Sequence, residues 1–366
     1  MRVLVVNAGS SSLKLSLLGS GEEPLAAQEL AAPRAVVDDD ELRKALGSGG
    51  LGDADAVGHR IVHGGSRFRS AVLVDANVRH ALEELVDLAP LHQPKSLAAL
   101  DAVSAALPGV PAVACFDTAF HATLSEAAAT YALPAEWNAR WQLRRYGFHG
   151  LSHAWIASRA PALVGRPADG LRIVSCHLGA GASLCAIAGG RSVDTTMGFT
   201  PLEGLVMATR SGSVDPGLLI WLLEHEGIAE SDLAHVLEHN SGLVGLSGTA
   251  DMREVLARSA GGDDDARLAL DVYLHRLRAL IASMAAALGG LDVLAFTGGV
   301  GENNAEIRAD ADAGLAFLGV AIDDGLNRAA EPDCEITGAG GSVRTVVIQA
   351  REDLEIASQV RLLLGG

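Results

Sequence analysis

The spacing of apolar residues along the chain predicts a protein of alternating strands and helices. Short apolar runs at 3–6 and 110–116 are typical of buried strands. Segments 75–88 and 264–288 instead place apolar residues at helical spacing, and the second of them predicts a long helix. The remaining predictions are a loop at 20–50, a strand at 343–349 and a helix at 352–364.

Two parts of the chain share one pattern. A strand, a turn of Gly and Ser residues and a second strand are predicted over 3–18, and the same order returns over 171–187. In this alignment Gly9 corresponds to Gly179, a distance of 179 − 9 = 170 positions. The pattern is common in α/β proteins, but two copies in one chain of this length favour an internal duplication, with one copy in each of two domains.

Glycine-rich segments follow three of the predicted strands, starting at Gly9, Gly179 and Thr297. Backbone N–H groups in such loops can form a concave surface that binds phosphate oxygens, and glycine lets the ligand approach the backbone closely. Each segment taken alone is equally well explained as a tight turn. The three together predict one nucleotide bound between two domains.

Histidine and arginine residues lie in short segments beside Gly or Pro, a position typical of the ends of elements, where sites are usually built. His59 and His63, like His149 and His153, have the spacing of zinc ligands on a helix. Both pairs lack the glutamate of the H-E-x-x-H motif and adjoin glycines, so we read most of these histidines as caps or core residues. The segments are 58–65, 90–94, 116–121, 146–153 and 208–212.

The composition of the chain argues against several kinds of binding partner and binding motif. The chain of 366 residues has 28 Lys+Arg and 45 Asp+Glu, a net charge of −17, which argues against a nucleic-acid or anionic-membrane partner. The sequence contains no run of 18 apolar residues, so no membrane-spanning helix is predicted. The chain has no G-K-[ST] sequence and therefore no P-loop. Its 4 cysteines form no C-x-x-C pair and its start lacks a signal-peptide pattern, so we expect a reduced, cytoplasmic compartment.

Several of these segments resemble the signatures of the acetate kinase (acetokinase) family. The sequence NAGSSSLK at 7–14 matches the first signature, and GHRIVHGG at 58–65 matches the second. The resemblance covers nearly the whole chain, because further segments follow in the family's order. They are 116–121, 146–153, 197–210 and 297–303.

The resemblance implies a duplicated, actin-like (ribonuclease H-like) α/β fold of two domains with a central interdomain cleft. We expect residues 1–149 plus 354–366 to form the N-terminal domain and 150–353 the C-terminal, nucleotide-binding domain. The implied reaction is reversible phosphoryl transfer from ATP to acetate, giving acetyl phosphate and ADP, with Mg²⁺ as the metal and Mn²⁺ as an alternative. The implied assembly is a homodimer.

The resemblance also assigns catalytic and acyl-site residues. Arg60 and Arg210 would flank the transferred phosphoryl group and orient acetate, and His149 would donate hydrogen bonds to its oxygens. Asp117 would position a cation or an arginine, although without the family it reads as an ordinary cap. The metal site would comprise Asn7, which is also the residue of the first loop nearest the chemistry, and Glu352. The acyl and substrate site would be lined by Arg60, Val62, Leu91, His92, Phe148 and Pro201.

The nucleotide site implied by the resemblance draws on all three glycine-rich segments and on one further segment. Its residues in the first loop are Ser10, Ser12 and Lys14, and in the second His177, Leu178, Gly179, Ala180 and Gly181. The ribose and adenine would be held by Asp251, Met252, Arg253, Gly299, Val300, Gly301, Glu302 and Asn303.

Elementary chemistry agrees with this set of residues. Acetate is already ionised at neutral pH, so as a nucleophile it needs no general base. The barrier lies in bringing an anion up to a polyanion, and positioning and charge neutralisation lower it. A site rich in Arg and His and sparse in general bases is suited to that reaction.

The chain departs from the family's pattern at two positions. Where the family usually has Leu-Gly-Asn-Gly, position 180 is Ala180. This keeps the backbone loop but removes one polar contact to the phosphates, which predicts weaker phosphate binding or lower turnover. Arg351 replaces the common Asn before Glu352, and it adds either a phosphate contact or only a surface charge. Segment 20–50 looks shortened.

The residues alone leave other functions open. A kinase for propionate or butyrate would differ in the acyl pocket, where the resemblance implies that Val62 favours acetate. A pyrophosphate-dependent kinase would not need segment 297–303. A nucleotide-switch protein of the same fold, such as a chaperone or a filament subunit, would give Arg60, Arg210 and His149 no purpose.

Overall fold

The computed structural model describes residues 1–9, 12–21, 23–31, 39–47, 50–90 and 92–365. Two compact units make up the chain. Unit 1 comprises Met1–Ala122, Phe148–Trp155 and Arg351–Gly366, and unit 2 comprises Thr123–Gly147 and Ile156–Ala350. The domain boundaries expected from the sequence stay a prediction. None of the helices in the described residues is both long enough and apolar enough to cross a lipid bilayer.

A mixed sheet forms the centre of unit 1. Its strands are β1 (Val3–Ala8), β2 (Ser12–Leu18), β3 (Pro24–Ala31), β4 (Ala56–Ile61), β5 (Val72–Leu73) and β6 (Ala112–Phe116), in the order β3-β2-β1-β4-β6-β5. Strands β1, β4 and β6 are parallel, whereas β2 and β3 extend the sheet as antiparallel neighbours on one side and β5 on the other.

Helices cover both faces of this sheet. They are α1 (Asp39–Gly47), α2 (Ala76–Glu83), α3 (Gln93–Ala106) and α15 (Glu352–Leu364), and α6 (Gly150–Leu163) begins in unit 1. Alternate residues of β1 face opposite sides, as the pleat of a strand requires. Leu4 and Val6 pack in a core with residues of α1 and α3, whereas Val3 and Val5 pack with residues of α15.

Unit 2 contains a second mixed sheet. Its strands are β7 (Arg172–Leu178), β8 (Ala182–Ala188), β9 (Arg191–Thr195), β10 (Val293–Thr297), β11 (Cys334–Glu335) and β12 (Arg344–Val347), in the order β9-β8-β7-β10-β12-β11. Its remaining helices are α4 (Glu126–Ala129), α5 (Ala135–Trp141), α7 (Pro216–His225), α8 (Glu230–His239), α9 (Gly242–Ser247), α10 (Met252–Ala260), α11 (Asp264–Ala287), α12 (Gly298–Asn303), α13 (Ala305–Ala313) and α14 (Asp324–Arg328).

The two sheets confirm the predicted duplication. Taken in chain order, the six strands of each unit have the same spatial order and the same directions. Strand β2 begins at Ser12 and β8 at Ala182, so the two copies differ by 182 − 12 = 170 positions, the distance predicted from the sequence. Each unit therefore brings its parallel strands to an edge where loops carrying polar residues gather.

Two predictions of irregular structure were wrong. Segment 20–50 contains β3 and α1 instead of one loop. Strand β3 lies mostly exposed at the sheet edge, so it carries no buried apolar stripe that the sequence could reveal. The glycine-rich segment after β10 is helix α12 instead of a loop. Its first residue, Gly298, has a φ of +78°, and a Cβ there would lie 2.7 Å from the Leu178 carbonyl oxygen, so glycine permits this turn.

Candidate active site

Arg60 forms the centre of a charged cluster in unit 1. It lies near the carboxyl end of β4, and Asp117 directly follows the neighbouring parallel strand β6. Arg60 donates to the Asp117 carboxylate from Nε at 3.1 Å and from Nη2 at 2.7 Å. Because both bonds join a planar fork to a planar carboxylate, the guanidinium is fixed in one orientation.

Asn7 and Glu352 complete this cluster. Asn7 belongs to β1, and Glu352 is the first residue of α15. The Arg60 Nη1 atom donates to Asn7 Oδ1 at 3.1 Å and lies 3.7 Å from Glu352 Oε2, while Asn7 Nδ2 lies 3.5 Å from the same Glu352 oxygen. The structure thus brings together four predicted site residues, of which the first and the last are 352 − 7 = 345 positions apart along the chain.

For both Arg60 and Asp117, burial and ion pairing shift the pKa in opposite directions. The Asp117 side chain is 2% exposed, and this burial raises the pKa of its carboxyl group, which the Arg60 charge opposes. Burial alone would lower the pKa of Arg60, but the charges of Asp117 and Glu352 outweigh it and raise the pKa. Arg60 is therefore charged at every relevant pH. A guanidinium has five N–H groups, and three of those on Arg60 bind Asp117 and Asn7, so within the described residues two of them form no hydrogen bond, although Glu352 lies 3.7 Å from Nη1.

His149 adopts an unusual backbone conformation, and the residue after it, Gly150, donates a backbone hydrogen bond to Asp117 of this cluster. The φ of His149 is +55°, a value that residues with a Cβ rarely adopt. Backbone strain of this kind occurs often at functional sites, where the surrounding structure maintains it. Phe148 before it is buried, and its ring packs edge-on against His63 at a centroid distance of 5.5 Å.

The predicted acyl-site residues are distributed over both units. Val62 directly follows β4, and His92 directly precedes α3, both half-buried in unit 1. Phe148 is fully buried in unit 1, and Pro201 belongs to unit 2. Leu91 lies outside the described residues, as does Ser10 of the first loop. The acyl pocket stays a prediction.

A cavity of about 570 Å³ in unit 2 gathers half of the predicted nucleotide residues. Its volume falls within the range of small-molecule pockets, about 300–1,000 Å³. The predicted residues that line it are Gly179, Ala180, Asp251, Met252, Arg253, Gly299, Val300 and Asn303. Five residues that were not assigned to the nucleotide also line it, and of these Ala208 alone lies in a segment singled out above; the five are Ala208, Leu243, Ala250, Tyr273 and Asn304. Most of these are small or apolar, so no motif distinguishes them from core residues.

Other predicted nucleotide residues have structural contacts. Glu302 accepts hydrogen bonds from the backbone nitrogens of Gly298 at 2.8 Å and Ala350 at 2.9 Å, so it stabilises the start of α12. Asp251 caps α10 by accepting from the Arg253 nitrogen, and it also pairs with the Arg253 guanidinium at 2.6 Å.

The remaining predicted residues of the glycine-rich segments lie on or beside the strands of the two sheets. Ser12 donates to Glu29 at 2.5 Å, and Lys14 pairs with Asn7 in the β1–β2 register. The other residues are Leu178 and His177 on β7, Gly181 in the turn after it, and Gly301 on α12.

Arg210 is a half-buried cation of unit 2. Its Nη1 atom donates to the Pro201 carbonyl oxygen at 3.1 Å, and within the described residues no carboxylate lies within ion-pair distance of it. Burial lowers the pKa of Arg210, and the more distant Glu238 opposes this shift. A half-buried cation in this state gains most from an anionic ligand.

The loop that carries Pro201 is held by three residues that the sequence did not reveal. Glu203 accepts from Tyr131 at 2.9 Å and from Arg145 at 2.8 Å. Arg145 also donates to the carbonyl oxygens of Thr196 and Met197. These partners lie 51 to 72 positions apart along the chain, so no local pattern signals the contacts.

Comparison with known proteins gives one consistent result. Residues 40–358 match the model of the acetokinase family. The acetate kinase of Synechococcus sp. is 44% identical over 407 residues, which cover 100% of both chains. The acetate kinase of Leifsonia xyli is 45% identical, over 98% of this chain and 97% of that protein.

Solved structures agree with the sequence relatives. The crystal structure of Porphyromonas gingivalis acetate kinase superimposes with a TM-score of 0.91 and 35% identity, covering 99% of both chains. A propionate kinase from Francisella tularensis superimposes with a TM-score of 0.90 and 34% identity, covering 98% of both chains. The expected actin-like α/β fold of two domains is thereby confirmed.

Proposed function

Because the chain belongs to the acetokinase family, we propose that it is an acetate kinase, which transfers a phosphoryl group reversibly from ATP to acetate. The observation that carries the proposal is the Arg60 cluster. Asp117, Asn7 and Glu352 orient this guanidinium, and two of its N–H groups, which bind nothing else in the described part of the chain, suit the oxygens of a phosphoryl group or a carboxylate. The products are acetyl phosphate and ADP.

The proposed reaction is a direct in-line transfer. A carboxylate oxygen of acetate forms a bond to the phosphorus atom, and the bond from phosphorus to the bridging oxygen of ADP breaks. No proton has to move, since acetate is already ionised. The work of the protein is to place the reactants and to neutralise oxygen charge, for which we assign Arg60, Arg210 and His149. Asp117 fixes the orientation of Arg60.

The residues near Arg60 fit a magnesium ion in part. Mg²⁺ is commonly bound by one or two carboxylates together with substrate phosphates and water. Glu352 supplies a half-buried carboxylate, and we assign it to the metal. The Asn7 oxygen accepts from Arg60, so Asn7 would have to share that oxygen with the ion. When bound, Mg²⁺, or Mn²⁺ as an alternative, supplies positive charge against the phosphates.

We assign the unit 2 cavity to the nucleotide. The backbone at Gly179 and Gly299 lines it without side chains, which suits phosphate oxygens. Asp251, Met252 and Arg253 line it from the start of α10 and are assigned to the ribose and adenine.

Replacing Ala180 by asparagine tests this assignment. The amide adds a hydrogen-bond donor to the cavity wall, and a single such bond is worth about 0.5–1.5 kcal/mol. We expect Ala180→Asn to lower the KM for ATP or raise kcat by about two- to tenfold. Steady-state kinetics measure both constants. Ala188→Asn, at the far end of β8, is the control and should leave both unchanged, and unchanged constants in Ala180→Asn would contradict the assignment.

A second candidate is a kinase for propionate or a longer acid. The similarity to a propionate kinase structure favours keeping it. Val62 decides between the two, because one methylene in an apolar pocket changes the free energy of transition-state binding by about 1–3 kcal/mol. The bulk of valine favours acetate. Rates with acetate, propionate and butyrate rank the candidates, and a higher kcat/KM with propionate would support the second.

We propose that the protein forms a homodimer through α7. This helix has the sequence PGLLIWLLEH and no buried residue. Leu218, Ile220 and Trp221 on it are 46%, 55% and 46% exposed. The chain carries a net charge of −17, so two copies repel each other elsewhere, whereas residues 216–223 of α7 carry no charged side chain. The exposed apolar side chains of this helix would be removed from water if a second copy bound there.

The dimer is tested by placing a charge on helix α7. Trp221→Glu is expected to halve the mass found by light scattering after size exclusion, since two buried carboxylates at a symmetric interface oppose association. Leu268→Glu, at a comparably exposed leucine of α11, is the matched control and should stay dimeric. A wild-type monomer, or a dimer in Trp221→Glu, would contradict the proposal.

A cytoplasmic location completes the proposal, with small molecules and a second copy as the partners. The acidic net charge supports the exclusion of nucleic acids and anionic membranes. Free thiols at all four cysteines are compatible with a reducing compartment.

A further inference from the structure

The backbone of His149 needs an explanation from its surroundings. Among the described residues only His149 and Gln142 combine a Cβ with a positive φ, and Gln142 merely ends α5. The left-handed conformation costs a residue with a Cβ about 1–2 kcal/mol. It persists where neighbouring contacts fix the peptides on both sides. The contacts on the two flanks of His149 therefore decide where its imidazole lies.

His121 binds the peptide on the first flank. It lies in the short helical turn Ala119–Thr123, and its Nε2 atom is 3.0 Å from the carbonyl oxygen of Phe148. A carbonyl oxygen only accepts, so Nε2 carries the hydrogen and donates. Both side chains are 1% exposed. Without His121 the Phe148 carbonyl would lose a buried donor.

The backbone of Asp117 binds the second flank. Its carbonyl oxygen accepts from the Gly150 nitrogen at 2.8 Å. A Cβ at position 150 would lie 2.1 Å from that oxygen, so this approach requires glycine. His149 is therefore held on both sides by one short segment, residues 117–121.

The same segment also holds Arg60, through the Asp117 carboxylate at 2.7 Å. We propose that His121 is a positioning residue: by fixing the peptide between Phe148 and His149 it places the His149 imidazole for phosphoryl transfer in register with Arg60. The inference rests on the proposed function only in assigning His149 to that reaction.

A packing role is the rival explanation. The His121 ring also contacts the rings of Phe120 at 5.8 Å and His153 at 5.7 Å between centroids. Two substitutions separate shape from hydrogen bonding. His121→Phe keeps an aromatic ring and loses the donor, whereas His121→Gln loses the ring and keeps an amide donor at a similar reach.

We expect His121→Phe to lower kcat by about 10- to 100-fold, because small misplacements of a catalytic group have effects of this size. The KM values for ATP and acetate should change by no more than about threefold, since the substrates keep their other contacts. His121→Gln should restore kcat to within about threefold of the wild type. Thr123→Val, which removes a nearby donor to the Ser192 carbonyl oxygen, is the control.

A double variant supplies the readout that a packing role would not move. If His121 acts through His149, adding His121→Phe to His149→Ala should slow the enzyme no further. Effects that multiply would overturn the inference, as would wild-type kcat in His121→Phe or equal loss in His121→Gln. Should His121→Phe fail to fold, His121→Asn, whose amide is too short to reach Phe148, takes its place.

A crystal structure of the variant separates this inference from the proposed function. The φ of His149 should leave the positive region when the His121 donor is removed, whether or not the protein makes acetyl phosphate. A retained φ near +55° would overturn the role of His121. An inactive wild type would instead contradict the proposed function, and the backbone measurement would still decide the role of His121.

Discussion

Replacing Arg60 by alanine is expected to lower acetyl phosphate formation by about 10²–10³-fold, the usual effect of removing one preorganised donor to a developing oxyanion. The guanidinium is already oriented by Asp117 and Asn7, so no reorganisation precedes the reaction. Steady-state kinetics should show the loss in kcat. Lysine at this position keeps the charge but not the planar fork, so Arg60→Lys should recover only part of the activity.

The same substitution should also destabilise the protein. Asp117 would stay buried without its counterion, and breaking a buried pair in this way costs about 3–5 kcal/mol. Denaturant unfolding measures the change in free energy. Arg79 offers a matched control, because it binds Asp101 through the same fork, at 2.7 Å from both Nε and Nη2, in a more exposed position. Arg79→Ala should cost no more than about 1 kcal/mol and leave kcat unchanged. Equal effects at both sites would contradict the role of Arg60.

Arg210→Ala should match Arg60→Ala in rate but not in stability. A loss of about 10²–10³-fold in kcat is expected if Arg210 neutralises phosphate oxygens. Burial lowers the pKa of Arg210 and it pairs with no close carboxylate in the described residues, so its removal leaves no buried charge without a partner. The free energy of unfolding should therefore stay the same or rise. Kinetics and denaturant unfolding of one sample test both statements.

A contrary result for Arg210 would be informative. If Arg210→Ala unfolded readily while retaining turnover, the residue would serve the loop at Pro201 instead of the reaction. Glu203→Gln is the useful comparison, since it weakens the contacts of Tyr131 and Arg145 that hold this loop without touching Arg210.

Several strands and helices with a buried stripe were predictable from the sequence, but helix α1 was not, although its Leu42, Ala45 and Leu46 are buried. Helix α15 begins and ends at the predicted residues, and the two copies of the strand–turn–strand unit lie at the predicted distance. Strand β3 and helix α12 were not predicted, because one lies exposed at a sheet edge and the other is rich in glycine. Periodicity reports burial on one face, and neither element has that pattern.

The candidate site was predictable where a motif surrounds the residue. Segment 58–65 indicated Arg60, and segment 116–121 indicated Asp117, but their ion pair depends on two parallel strands ending at one edge. The contact between Glu203 and Tyr131, and the bond from His121 to the Phe148 carbonyl, have no local signal. They depend on how distant segments pack, which spacing along the chain does not contain.

The most direct test of the central claim is the formation of acyl phosphate from ATP, Mg²⁺ and acetate, trapped as the hydroxamate with hydroxylamine. We expect product with the wild type and with Arg79→Ala, less with propionate and butyrate, and almost none with Arg60→Ala. A folded protein that binds ATP yet forms no product with any of the three acids would contradict the assignment as an acetate kinase.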